Sequence, residues 1–346
     1  MRDLLPAVYY TCSYIPPEVI WAAGCRPVRL LPADAAPGEC DAFLPRDFCP
    51  YVRAALWDLY RGNTSPAAAV VLTTCCDPMR RLADILRHRL PHLPSLLVDL
   101  PREQGRRGEE HFAARLEYIH SRLRTLPGAT PPPGGLSEPG RLFAEIRQWL
   151  RHAGQAMGAP DLHRLIRRVY ASDPREAVAS LRALVTPGRV PPQVSGDPRV
   201  LVVTSHLVDP RVLDAIEQAG ARVVAEDSCL GDRLLTIPPG GDTFEQLAAA
   251  YLGRPPCPRM ELPEERLAYL GDLARRRGAQ GIVFLALKYC DNLGYDFPWI
   301  LKRSGLPVLF LEADYRASAS GQLLTRVQAF LETLPFAGRT GTPTPE

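Results

Sequence analysis

Two apolar segments in different halves of the sequence end in the same Cys-Asp pair. The first covers residues 68–77 and the second residues 281–291, with Cys76 and Cys290 as their cysteines. Runs rich in Val, Leu and Ala are typical of strands that a parallel sheet buries on both faces. Ligands of open α/β sheets bind at the carboxyl ends of such strands. Each segment therefore predicts a buried strand that presents a cysteine and a carboxylate at a ligand-binding edge.

The similarity between the two halves extends beyond these segments. Each half begins with a helix that ends in glycine and a short strand after it, at residues 17–28 and 210–224. A Cys-Pro pair follows in each half, at Cys49 and Cys257, and each Cys-Asp segment precedes a helix and a strand that starts with Leu-Pro. Repeated βα units predict an α/β protein with two Rossmann-like domains whose parallel sheets face a central cleft.

A helical segment interrupts this pattern. Apolar residues recur at spacings of three and four over about residues 103–184, and a Pro/Gly-rich stretch follows at residues 187–198. We interpret the stretch as a linker. We therefore expect an N-terminal Rossmann-like domain at residues 1–190, which includes the helical segment, and a C-terminal one at residues 191–346.

Charge and hydropathy argue against two kinds of partner. The formal net charge of +3 is small and dispersed, which does not support nucleic-acid binding. No apolar run reaches the roughly 20 residues that a membrane span requires, and the first residues lack the core of a signal peptide. We expect a cytoplasmic protein that binds neither nucleic acid nor membrane.

The nine cysteines carry the most specific chemical information. Structural disulfides are uncommon in cytosolic proteins, and the Cys-x2-Cys pairs typical of zinc sites are absent. Cys25, Cys40 and Cys75 are predicted to be small buried hydrophobic residues. Cys75 is expected to point away from Cys76, because neighbouring side chains on a strand face opposite sides.

The other six cysteines lie on loops or strand ends that border the predicted cleft. Each half contributes three of them: Cys12, Cys49 and Cys76, and then Cys229, Cys257 and Cys290. Thiolates are the ligands of iron–sulfur clusters, and six exceed the need of one four-iron cluster but suit two. Metal binding is the hypothesis that these residues favour, with inert buried cysteines as the alternative.

The order of several short motifs resembles the 2-hydroxyacyl-CoA dehydratase and benzoyl-CoA reductase family. The motifs are Pro-x-Glu-x4-Ala-Gly, Cys-Asp-x-Met-Arg, Asp-x-Cys-x-Gly-x-Arg, Lys-Tyr-Cys-Asp and Gly-Gln-x3-Thr-Arg-x2-Ala-Phe-x-Glu. The resemblance implies two Rossmann-like domains around a cleft, with one [4Fe-4S] cluster held by Cys76, Cys229 and Cys290. It also implies an open iron for a small-molecule substrate and an ATP-hydrolysing iron–sulfur activator that supplies low-potential electrons. A homodimer, or a heterodimer with a paralogous subunit, is the family expectation.

Three additional cysteines distinguish this sequence from the single-cluster members. With Cys12, Cys49 and Cys257, the set resembles the branch called double-cubane cluster proteins, in which two four-iron cubanes share a bridging sulfide ([8Fe-9S]). That branch implies an ATP-driven reductase, hence an oxidoreductase. The alternatives are a 2-hydroxyacyl-CoA dehydratase subunit, a lyase with one cluster, and a non-catalytic electron-storage or maturation protein. Because the sequence has no Gly-x4-Gly-Lys-Ser/Thr phosphate loop, ATP hydrolysis is expected of the partner.

A reductase of this kind also needs a group that moves protons together with the electrons. Glu18 and Lys288 are the predicted catalytic residues, and Asp77 and Asp291 are further candidates. Both acids also have a purely structural alternative. Glu18 would cap its own helix, and Asp77 would interact with the N-terminus of the helix that begins at Pro78. His206 is a candidate to bond a cluster sulfur, or else a buried polar residue with its own partner.

Overall fold

The computed structural model describes residues 5–32, 38–62, 66–185, 197–206, 210–314 and 321–335. Most of the predicted linker at residues 187–198 lies outside these ranges. Within them, no helix is long and apolar enough to cross a membrane.

The first half forms a parallel sheet with the strand order β2-β1-β3-β4. Its elements, apart from a short 3-10 turn at Gly38–Ala42, are β1 (Ala7–Tyr10), α1 (Pro17–Ala22), β2 (Arg26–Arg29), α2 (Pro50–Arg61), β3 (Ala67–Thr73), α3 (Asp77–Arg89) and β4 (Ser95–Val98). Gly24 follows α1 with a φ of +81°, and a Cβ there would lie 2.3 Å from the backbone of Thr130. Glycine is therefore required both for the turn and for the close approach of the next segment.

The helical segment contains four helices, which pack on one face of this sheet. They are α4 (Arg106–Leu123), α5 (Ser137–Ala156), α6 (Ala159–Ala171) and α7 (Pro174–Leu184). Each has an apolar stripe, as in α4, where Phe112, Leu116, Ile119 and Leu123 are buried. The Asp173 carboxylate caps α7 by accepting the backbone N–H of Arg175 at 2.9 Å.

The second half repeats the topology of the first, because its parallel sheet has the order β6-β5-β7-β8. Its elements are β5 (Arg199–Val203), α8 (Arg211–Gln218), β6 (Arg222–Asp227), α9 (Asp232–Leu235), α10 (Phe244–Leu252), α11 (Pro263–Arg277), β7 (Gly281–Leu287), α12 (Asp291–Arg303), β8 (Val308–Ala313) and α13 (Gly321–Glu332). Both sheets are entirely parallel. The predicted α/β fold with two Rossmann-like sheets and a helical segment is confirmed.

The two halves share buried contacts. Helix α10 of the second half packs against α4 of the first, and one apolar cluster includes residues of both halves. The buried Arg254 guanidinium donates to the carbonyl and the Oγ of Ser13, both at 3.0 Å. Arg259 donates to the carbonyl of Leu100 at 2.9 Å. These bonds join the segments that follow β1 and β4 to the loop after α10.

Candidate functional site

Three of the six predicted ligand cysteines occupy the same position relative to a helix. Cys49, Cys76 and Cys290 are the N-cap residues of α2, α3 and α12, and none of them forms a side-chain capping bond. The positive end of a helix dipole favours the thiolate form of cysteine. Since α3 and α12 follow the equivalent central strands β3 and β7, the internal repeat places Cys76 and Cys290 at corresponding sheet edges.

The remaining three lie in loops. Cys12 is buried two residues after β1, and Cys229 follows β6 with its backbone N–H donating to the carbonyl of Ser205 at 2.9 Å. Cys257 lies between α10 and α11, where its carbonyl accepts the N–H of Met260 at 3.0 Å. Cys12 thus follows the first strand of its half, whereas Cys229 follows the second strand of its half.

The six cysteines form one electrostatically connected group. Burial raises the pKa of Cys229 to about 11, and charges on Cys12 and Cys257 act in the same direction. Burial also raises the pKa of Cys49 to about 12, with a contribution from Cys290. The pKa of Cys290 is raised in turn, first by burial and then by Cys229. Cysteines of both halves are therefore within electrostatic reach of one another.

Cys75 belongs to this group as well, and the sequence-based prediction that it points away from Cys76 is wrong. The two Sγ atoms are 4.0 Å apart, and the Cys75 thiol is near enough to that of Cys12 to raise the pKa of Cys12. The reason is local, because β3 ends at Thr73 and strand alternation does not extend to Cys75. By contrast, Cys25 and Cys40 are fully buried, as predicted.

The connection from Cys76 to the other five passes through Cys75 and Cys12. The Cys75 contact is the largest cause of the raised pKa of Cys12, and Cys12 in turn lies within reach of Cys229. Asn292 of α12 donates to the carbonyl of Cys75 at 3.4 Å, which joins the two N-cap regions of the repeat.

The chemistry of the donor set suits iron–sulfur clusters, whose ligands are thiolates distributed over several irons. The cysteine group consists of thiols that several different elements contribute. Within the described ranges, no three His, Cys, Asp or Glu side chains converge as the ligands of one metal ion would.

Two buried arginines lie beside the cysteine group. Arg29 and Arg233 are each no more than 2% exposed, and both oppose the effect of burial by lowering the pKa of Cys229. Arg233 lies 3.3 Å from the Asp227 carboxylate. Burial, and then the charges of Arg29, Arg167 and Arg233, lower the pKa of His206 well below its usual range. The region is thus suited to an anionic occupant and keeps the imidazole of His206 neutral.

Glu18 lies in a buried network formed by three helices. Its Oε1 accepts a hydrogen bond from Arg147 of α5 at 2.8 Å, and its Oε2 accepts one from the Tyr251 hydroxyl of α10 at 2.7 Å. The side chains of Glu18 and Arg147 are both 1% exposed. Both carboxylate oxygens are therefore engaged by groups of the protein itself.

The other candidate acids and bases lie at the surface. The Lys288 Nζ is 3.6 Å from the Asp314 carboxylate, at the carboxyl end of β7. Asp77 is exposed and 3.5 Å from Arg81. Asp291, also exposed, is near enough to Cys49 and Cys290 to contribute to the raised pKa of each.

Comparisons with known proteins cover nearly the whole chain. The family model of the 2-hydroxyglutaryl-CoA dehydratase D-component matches residues 12–334. The chain is 22% identical to the (R)-phenyllactyl-CoA dehydratase beta subunit of Clostridium sporogenes, over 93% of this chain and 90% of the relative. It is 22% identical to the lactoyl-CoA dehydratase subunit beta of Anaerotignum propionicum, over the same shares of both chains. It is 23% identical to a subunit of the benzoyl-CoA reductase of Thauera aromatica, over 91% of this chain and 86% of the relative.

Proposed function

The chain belongs to the 2-hydroxyglutaryl-CoA dehydratase D-component family, and from this membership we propose that it is an iron–sulfur reductase of a small molecule. Its relatives are subunits of dehydratases and of a reductase, so the coarse assignment to an enzyme does not depend on the proposal. The proposal specifies the cofactor, its ligands and the direction of the chemistry.

The observation that carries the proposal is a single group of cysteines contributed by both halves, of which Cys12 is buried and the other five are partly buried. We propose that two linked four-iron clusters are held by Cys12, Cys49, Cys76, Cys229, Cys257 and Cys290. The group consists of soft thiol donors, three of them at helix N-caps, and it has buried guanidinium groups beside it. When bound, such a cofactor supplies low-potential electron transfer.

The protein's own residues prepare the site in three ways. Burial of Cys12 and the packing of both halves around the group limit the access of water. The helix N-termini and the guanidinium groups favour the thiolate forms that bind iron. Lys288 lies two residues before Cys290 at the partly exposed edge, and we propose its Nζ as the proton donor. Glu18, whose two oxygens are engaged, is assigned to holding α1 against α5 and α10.

The proposal includes two partner proteins. The relatives are named as subunits, which supports a multi-subunit enzyme, and we propose a dimer with a second copy or a paralogous subunit. The sequence has no P-loop motif, so an ATP-hydrolysing iron–sulfur activator is proposed as the electron source.

One other function is supported by a specific observation. Two of the relatives are named as dehydratase subunits, and a dehydratase would need only the single-cluster ligands Cys76, Cys229 and Cys290. Under that alternative, the three additional cysteines would bind no iron.

Iron and acid-labile sulfide counting after anaerobic purification distinguishes these functions. About eight irons per chain are expected for the double cubane and about four for a dehydratase-type subunit. Cys12→Ser, Cys49→Ser and Cys257→Ser should each lower the iron content only in the first case. Cys25→Ser, a buried cysteine outside the group, is the matched control. A wild-type chain that binds no iron after anaerobic reconstitution contradicts both functions.

A further inference from the structure

Arg29 is a buried cation that lacks a carboxylate partner in the described part of the chain. It is the last residue of β2 and is 2% exposed, and its Nε and Nη2 atoms have no hydrogen-bond acceptor there. A buried charge without a counter-charge is costly, and a buried donor without an acceptor requires an explanation such as a bound ion.

Two comparably buried arginines have the carboxylate partner that Arg29 lacks, and a third, Arg254, donates instead to the carbonyl and the Oγ of Ser13. Arg147 is paired with Glu18 at 2.8 Å, and Arg233 lies 3.3 Å from Asp227. Among the described residues, Arg29 has only the ring of Tyr10, whose centroid is 5.4 Å from its Cζ. A cation–π contact at this distance provides about 1 kcal/mol or somewhat more when desolvated, which does not replace an ion pair.

The position of Arg29 places it at the wall of the cysteine group. It pairs with Tyr10 in the register of β1 and β2, so it lies at the carboxyl edge of the sheet from which Cys12 extends. The next residue, Leu30, accepts a hydrogen bond from the Tyr51 hydroxyl at 3.0 Å, and Tyr51 stacks on His206.

Cys12 and Cys229 both lie within electrostatic reach of the Arg29 guanidinium. A negative charge held between these cysteines would therefore be stabilised by it.

We propose that Arg29 is the counter-charge of the anionic iron–sulfur cofactor, with Nε and Nη2 donating hydrogen bonds to it. The inference rests on the proposed function. It makes Arg29 a positioning residue rather than a ligand. Because the reduced cluster carries one more negative charge than the oxidised one, the guanidinium stabilises the reduced state and raises the reduction potential.

Redox titration of the anaerobically reconstituted protein, followed by electron paramagnetic resonance, tests this assignment. Arg29→Met should retain the wild-type iron content but lower the equilibrium constant for one-electron reduction about tenfold, which corresponds to a potential about 59 mV more negative. Arg29→Lys should give a smaller shift in the same direction, because the charge remains but the planar fork is lost. Arg26→Met, at the amino end of the same strand, should keep the wild-type potential.

Thermal unfolding provides a second readout that does not depend on activity. In the iron-free protein, Arg29→Met should unfold at the wild-type temperature or above it, since the variant removes an uncompensated buried charge. Loading with the cofactor should raise the unfolding temperature of Arg29→Met by less than it raises that of the wild type.

Two results would overturn the assignment of Arg29. One is an unchanged potential in loaded Arg29→Met, or in loaded Arg29→Lys if the first variant does not fold. The other is an equal loss of stability in the iron-free and loaded forms, which indicates a purely structural role. A wild-type chain without iron overturns the proposed function together with this inference, so the two failures are distinguishable.

Discussion

The rings of Tyr51 and His206 are stacked, with centroids 4.0 Å apart and planes inclined by 6°. Tyr51 is in α2 of the first half, and His206 follows β5 of the second. The pair therefore spans the two halves beside the cysteine group. The stack, together with the hydrogen bond from the Tyr51 hydroxyl to the carbonyl of Leu30, ties the second half to the edge strand of the first.

Substitution of Tyr51 should separate the contribution of the ring from that of the hydroxyl. Tyr51→Phe keeps the stack and should lower the free energy of unfolding by about 1 kcal/mol, for one lost hydrogen bond. Tyr51→Ala should lower it by about 3–5 kcal/mol, the usual cost of truncating a buried aromatic residue. Urea unfolding of the iron-free protein measures both. Equal losses in the two variants would show that the stack contributes nothing.

Glu18→Gln should lower the free energy of unfolding by about 3–5 kcal/mol, because it leaves the Arg147 guanidinium buried without its counter-charge. Tyr251→Phe removes only the hydrogen bond to the other oxygen and should cost about 1.5–3 kcal/mol. Chemical denaturation checks both values. A Glu18→Gln variant of wild-type stability that binds iron but does not turn over would instead establish the catalytic role predicted from the sequence.

Tyr289 has a φ of 58°, in the left-handed region that non-glycine residues seldom adopt, directly before Cys290. Its side chain is 49% exposed, so little packing is lost on truncation. Tyr289→Gly should therefore raise the free energy of unfolding by roughly 1 kcal/mol. Tyr295→Gly, at an 81% exposed position inside α12, should lower it by about 1 kcal/mol. Denaturant midpoints that move in the same direction for both would show that the backbone at Tyr289 is not strained.

Acidification should weaken the contact between α4 and α10, where the ring of His120 lies 5.4 Å from that of Phe244. The pKa of His120 is lowered, chiefly because burial disfavours the imidazolium. The unfolded chain therefore takes up this proton first, near pH 6.5, and stability falls as the pH decreases from about 6.5 towards the lower pKa of the folded protein.

A pH series of thermal unfolding midpoints checks this sign. His120→Gln should flatten the curve below pH 6.5 relative to the wild type. The control is His88→Gln, an exposed histidine in the last turn of α3, which should follow the wild-type curve. A steeper acid-side loss in His120→Gln would contradict the prediction.

The sequence determined the order and type of the elements, because hydrophobic periodicity and Gly/Pro punctuation are local properties of the chain. The apolar run before Cys290 became β7, and the segment with helical spacing became α4 to α7. The repeat also determined that a cysteine stands between each central strand and the helix that follows it. The main local error was to extend β3 to Cys76, since the strand ends at Thr73.

Only the tertiary structure decided which distant side chains meet. Glu18 is paired with Arg147 and Tyr251, which lie in helices remote from it in the sequence. Cys75 joins the cysteine group because the chain turns after β3, and Arg29 is buried because α6 packs on β2. No local pattern encodes these contacts, because they depend on how one packed element lies against another, and the burial that results sets the charge requirements of the site.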